Sequence, residues 1–121
     1  MTISVLKDDP NKGTLEIAHL QEHGYIANSL SIANNLQFPE KYPDVFIINL
    51  ATPKRDVFAL VENIRAQSAN VGILLVIALE NQDDRARAFL SGADNYIVRP
   101  YEIEELLAIV GSLARRLQWS N

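Results

Sequence analysis

The stretch "DVFIINLATP", Asp44 to Pro53, decides the fold. Its core, "VFIINL" from Val45 to Leu50, is short, rich in β-branched residues and fenced by Asp44 and Pro53. Its apolarity is continuous rather than alternating, which suits a strand covered on both faces, as in a parallel sheet. A single polar side chain, Asn49, interrupts it near the carboxyl end.

Two other runs share this character, "ISVL" at Ile3 to Leu6 and "GILLVIA" at Gly72 to Ala78. Weaker segments, "YIANS" from Tyr25 and "YIV" at Tyr96 to Val98, would bring the strands to five. Helical spacing fills the intervals. It is clearest where Ile103, Leu106, Leu107, Val110 and Ala114 recur at i, i+3 and i+4. Glu102, Glu104 and Glu105 stand at the start of that helix and Arg115 and Arg116 at its end, complementing the macrodipole. Pro10 is expected to open a first helix that Gly24 closes, Pro39 to stop a second, and "SGAD" at Ser91 to Asp94 to end a fourth. The third is expected from about Val57 to Gln67. Alternating strand and helix favours a doubly wound α/β sheet with right-handed crossovers.

The remaining bounds are broad. A chain of 121 residues, 48% hydrophobic and 21% charged, predicts one globular domain over 1–121. No run approaches the roughly 20 apolar residues of a membrane helix, and there are no cysteines. A soluble, cytoplasmic protein is expected, without disulfides or thiolate-bound metal. The net charge of −4 argues against direct nucleic-acid capture, which needs clustered Lys and Arg.

In a doubly wound sheet, ligands gather beyond the carboxyl ends of the strands. The residues arriving there are Lys7, Asp8 and Asp9, then Asn49, then Ile77 and Ala78, then Arg99. No glycine-rich phosphate loop follows any strand, so dinucleotide and P-loop chemistry is not indicated.

From Ser4 to Arg116 the chain resembles the receiver domains of bacterial response regulators. The resemblance rests on "VLKDDP" (Val5–Pro10), "PDVFIINLATPKRD" (Pro43–Asp56), "DRARAFLSGADNYIVRPY" (Asp84–Tyr101) and the closing amphipathic helix. It implies a flavodoxin-like (CheY-like) five-stranded parallel sheet in the order 2-1-3-4-5 with five helices. It also implies the family's chemistry: a phosphoryl group passes from a kinase histidine to an aspartate, with Mg²⁺ held by that aspartate and an acidic pair on the first strand. A lysine neutralises the phosphoryl oxygens, and a hydroxyl moves toward them.

Position by position, this pocket is altered. Asn49 stands at the phosphoacceptor position, and a neutral amide is a poor nucleophile. Lys7 and Asp8 stand where two acids are usual, with Asp9 one place later. Unit charges about 4 Å apart interact by roughly 4 kcal/mol at an effective dielectric of about 20, so an inward Lys7 would repel a divalent ion by about twice that. Ile77, or Ala78 in a shifted register, replaces the hydroxyl, and Arg99, followed by Pro100, replaces the lysine. Asp8 and Asp9 are weak candidate metal ligands, with helix capping and solvation before Pro10 the favoured reading. Asn49 is expected either to hydrogen-bond Asp8 or Arg99 or to stand idle, and Arg99 to pair with Asp8.

Tyr96 matches the family's switch aromatic, with plain packing as the competing reading. His19 and His23 lack partners at metal spacing, Lys54 and Arg55 read as solvated charges, and Trp119 as a cover for apolar surface or the start of a linker. The face of the fourth helix, fifth strand and fifth helix, through which many transcription-factor receivers dimerise, is matched at Ala86, Phe89 and Leu107, with Arg85 and Glu105 as an ion pair across a two-fold. Leu90, Asn95, Ile109 and Gly111 stand where charges are common, making that face more apolar. The expectation is an atypical, phosphoacceptor-lacking receiver, most like those of winged-helix transcription regulators. It is expected to need no cofactor, to catalyse nothing, and to act as a homodimer or with a protein partner or sensor kinase. Retained weak Mg²⁺ binding by Asp8, Asp9 and acids near Glu80, with a residual phosphoryl or small-ligand response, is the alternative; a metabolite-binding domain is a third.

Overall fold

A computed structural model of the chain describes residues 1–8, 14–31, 42–50, 57–78 and 83–119, with the side chains of Asp83, Gln118 and Trp119 excepted. Five strands, β1 (Thr2–Lys7), β2 (Ile26–Ser31), β3 (Val45–Asn49), β4 (Gly72–Ile77) and β5 (Asn95–Val98), form one parallel sheet ordered β2-β1-β3-β4-β5. Every residue of β3 and of β4 is buried, as their unbroken apolar runs require. The edge strand β2 carries mostly exposed positions, which is why "YIANS" reads weakly as a strand.

Four helices are described: α1 (Thr14–Glu22), α2 (Val57–Gln67), α3 (Asp83–Leu90) and α4 (Ile103–Trp119). They correspond to the first, third, fourth and fifth helices expected from sequence. The expected second helix, stopped by Pro39, falls within residues 32–41 and lies outside the described residues, as does the Pro10 expected to open the first. Both glycine stops are as expected. Gly24 (φ 87°) and Gly92 (φ 113°) adopt left-handed conformations that cost glycine little. The bonds Tyr25 N to Leu20 O with Gly24 N to Gln21 O, and Ala93 N to Ala88 O with Gly92 N to Phe89 O, close α1 and α3 in the Schellman pattern.

The sheet divides the core in two. On one face Phe46, Ile48, Ile73, Leu75 and Ile77 meet Val61 and Ile64 of α2 and Ala88 of α3. On the other, Ile3, Val5, Val45, Ile47, Leu74 and Val76 meet Leu20 of α1 and Leu106, Val110 and Leu113 of α4. These layers bring the carboxyl ends of β1, β3, β4 and β5 to one edge of the sheet.

Candidate functional site

The pairing register sets the crevice at that edge. Asn49, the last residue of β3, lies opposite Val76 of β4 and is only 3% exposed. Arg99 follows β5 and is tied to β4 by its own backbone, Arg99 N donating to Ile77 O at 2.8 Å. Its Nη2 crosses the crevice and donates to Asn49 Oδ1 at 2.6 Å and to Leu50 O at 2.7 Å. A guanidinium can only donate, so this bond also fixes the amide, oxygen toward Arg99. The Arg99–Pro100 peptide is cis.

Burial holds the Arg99 guanidinium below its ordinary pKa, against the opposing pull of Tyr101, Asp8 and Glu16. Asp8, just past β1, therefore reaches Arg99 through its charge, while the direct bonds of Arg99 run to Asn49 and Leu50. Beside them, Tyr101 donates its hydroxyl to Glu16 Oε1 of α1 at 2.5 Å. The Tyr101 hydroxyl is pushed well above its ordinary pKa by burial, then by that hydrogen bond and the Glu16 charge. The sequence reading missed this link, whose partners stand 85 residues apart. A tyrosine directly after the Arg-Pro pair was the available signal.

The structure thus gathers Asp8, Asn49 and Arg99 in one crevice. Ile77 is drawn in through its carbonyl alone; its side chain is 6% exposed and belongs to the apolar core. Ala78 is exposed just beyond it, and Asp9, Lys54, Arg55 and Glu80 lie outside the described residues. Tyr96 is half-buried, its ring edge-to-face with Phe89 at a centroid distance of 5.5 Å. Arg85, Ala86 and Phe89 are exposed on α3 and Glu105 on α4, with Leu107 half-buried against the core. Leu90 is 84% exposed.

The sequence pattern of the family described as "Response regulator receiver domain" matches residues 8–111. The chain belongs to this family. Among curated relatives, the DNA-binding dual master transcriptional regulator RpaA of Synechocystis is 31% identical over 94% of this chain and 49% of its own length. The transcriptional regulatory protein RprY of Bacteroides fragilis is 31% identical over 98% and 51%. The chain thus spans about half the length of these relatives. Among solved structures, the receiver domain of the TMAO respiratory system response regulator TorR superposes with a TM-score of 0.78 at 23% identity, over 96% of this chain and 98% of that one. The non-phosphorylated receiver domain of HemR from Leptospira biflexa gives 0.76 at 24%, over 93% and 92%. At such identities these structures speak to the fold alone. This receiver, then, has the five-stranded parallel sheet in the order β2-β1-β3-β4-β5 that its structural neighbours share.

The family's Mg²⁺ is a hard cation that takes its ligands from carboxylates, other oxygens and water. Among the described residues, this receiver offers the Asp8 carboxylate and the Asn49 amide, whose oxygen already accepts from a guanidinium. A fixed cation bonded to that oxygen opposes a second one there. The described donor set does not fit Mg²⁺.

Proposed function

We propose that this receiver works without phosphorylation, as a signalling and dimerisation module of a transcription regulator. The observation that carries the reading is the pair of bonds from Arg99 Nη2 to Asn49 Oδ1 and Leu50 O. Where the family places an ionised nucleophile and a metal, this crevice holds a neutral amide whose oxygen accepts a hydrogen bond from a permanent cation. An amide oxygen lacks the negative charge of a carboxylate, and accepting from arginine draws its electron density further from attack on phosphorus. The output module is supplied by whatever accompanies the domain, as the transcription-regulator relatives and their greater length suggest. The domain itself carries out no catalysis.

Association is assigned to the face of α3, β5 and α4. Phe89 and Leu90 are 51% and 84% exposed on α3, and Arg85 on α3 and Glu105 on α4 are also exposed, which suits an isologous contact with opposite charges at its rim. Two experiments test the reading. Incubation with acetyl phosphate, or with beryllofluoride, in the presence of Mg²⁺ is expected to leave the mass and the tyrosine fluorescence unchanged. A stoichiometric adduct overturns phosphate independence in favour of a receiver that retains Mg²⁺ chemistry. Sedimentation of the wild type is expected to show a dimer that Arg85→Ala weakens and Phe89→Glu dissociates. Three monomers would remove the interface.

A further inference from the structure

A second polar cluster lies at the opposite edge of the sheet, joining the elements behind the proposed interface. Arg65, in the last turn of α2, donates from Nε and Nη2 to Gly92 O at 3.0 and 2.8 Å, and from Nη1 to Ala69 O at 3.0 Å and Val71 O at 2.6 Å. Its Nη2 also meets Asp94 Oδ2 at 3.0 Å. Asp94 Oδ2 accepts from Ile73 N of β4 at 2.7 Å, and Asp94 Oδ1 from Arg116 Nη2 of α4 at 3.0 Å. Gly92 sits directly on the stem of Arg65: a Cβ there would lie 3.1 Å from Arg65 Cγ.

Every donor nitrogen of Arg65 ends on a backbone carbonyl or on Asp94, so this guanidinium is committed to holding chain segments together. The segment it holds is the turn between α3 and β5. Phe89 precedes Gly92 by three residues and Tyr96 follows Asp94 by two, and their rings meet edge to face. We infer that Arg65 and Asp94 are positioning residues, a clamp that sets α3, β5 and α4 in the arrangement presented to a second copy of this chain. The inference rests on the interface reading given above. It adds that the arrangement is set from the amino-terminal edge of the sheet, away from the Asn49 crevice. The inner arm dominates, because hydrogen bonds between ionised groups gain strength away from water. The Arg65 side chain is 23% exposed and that of Arg116 56%, while Arg65, Asp94 and Arg116 all border one open cavity of 440 Å³.

Arg65→Gln and Arg116→Gln, each made in this chain, test the clamp by sedimentation and by ¹⁵N–¹H NMR. Arg65→Gln is expected to raise the dimer dissociation constant at least about tenfold, the upper part of the range for coupling through a shared network. Its amide shifts are expected to reach Phe89, Tyr96 and Leu107. Arg65→Lys keeps the charge without the fork and should behave like Arg65→Gln. Arg116→Gln should change association about twofold or less, as a partly exposed ion pair does. Wild-type association by Arg65→Gln, or shifts confined to residues 64–72 and 91–94, overturns the clamp. Should the wild type itself sediment as a monomer, the interface reading fails on its own, and the NMR shifts alone decide the clamp by the same criterion. Should Arg65→Gln not fold, Asp94→Asn, which keeps an acceptor for Ile73 N, is read in its place.

Discussion

Replacing Arg99 with methionine removes the guanidinium while keeping much of the stem volume. One nitrogen is lost to two acceptors, Asn49 Oδ1 at 2.6 Å and Leu50 O at 2.7 Å, on residues 3% and 4% exposed. Hydrogen bonds to charged groups contribute about 1.5–3 kcal/mol each, so the gross loss is about 3–6 kcal/mol. Two effects reduce it. Burial disfavours the cation, as its lowered pKa records, and methionine relieves that penalty. Arg99 is also only half-buried, so water screens its attraction and can reach the vacated acceptors. The net destabilisation expected is about 2 kcal/mol. With a melting entropy of about 2.1 cal/mol/K per residue, a 121-residue chain should lose about 8 °C in Tm. Thermal unfolding followed by circular dichroism at neutral pH measures this, beside Asn49→Ala and the double variant. The cycle should return a coupling of about 1 kcal/mol or more, since the two side chains touch. A Tm for Arg99→Met within about 2 °C of wild type, or a double variant additive to within about 0.3 kcal/mol, would refute the bridge.

Three further outcomes are expected. The folded state favours a neutral Tyr101, so that contribution is intact below about pH 10, the value of a free tyrosine, and is lost as pH rises toward the higher folded value. Urea titrations at increasing alkalinity should therefore show wild-type stability falling more steeply above about pH 10 than that of Tyr101→Phe. Gly92→Ala places a Cβ 3.1 Å from the Arg65 side chain at a φ of 113°, and should lower stability by about 1–3 kcal/mol in the same thermal assay. Leu106→Ala, at a fully buried core position, should cost about 2–5 kcal/mol, whereas Leu15→Ser, at 61% exposure on α1, should change stability by no more than about 0.5 kcal/mol.

Strands β3 and β4 were legible because a strand buried on both faces leaves an unbroken apolar run. The bounds of α2 fell where they were expected, at Val57 and Gln67, and the carboxyl ends of α1 and α3 where a glycine could turn left-handed. The exposed edge strand β2 left only a faint trace, since its outward positions Asn28 and Ser29 carry polar groups that read as loop. The crevice residues were legible by position, through the rule that strand ends converge. Their bonding was only half legible: Arg99 was expected to pair with Asp8, and its direct bonds go to Asn49 and Leu50. The clamp left no periodic signal. Arg65 reads as a helix-end charge and Asp94 as a turn residue, and only the fold brings these positions, 29 apart, into contact.

An arginine keeps its proton across the whole range of cellular pH. The bond from Arg99 to Asn49 therefore follows neither acidity nor magnesium supply nor the energy state of a cell. On the reading proposed above, such a crevice would leave pairing governed by mass action, with the paired fraction tracking the number of copies present. Control of such a molecule passes from chemistry at one side chain to the rates at which the chain is made and destroyed.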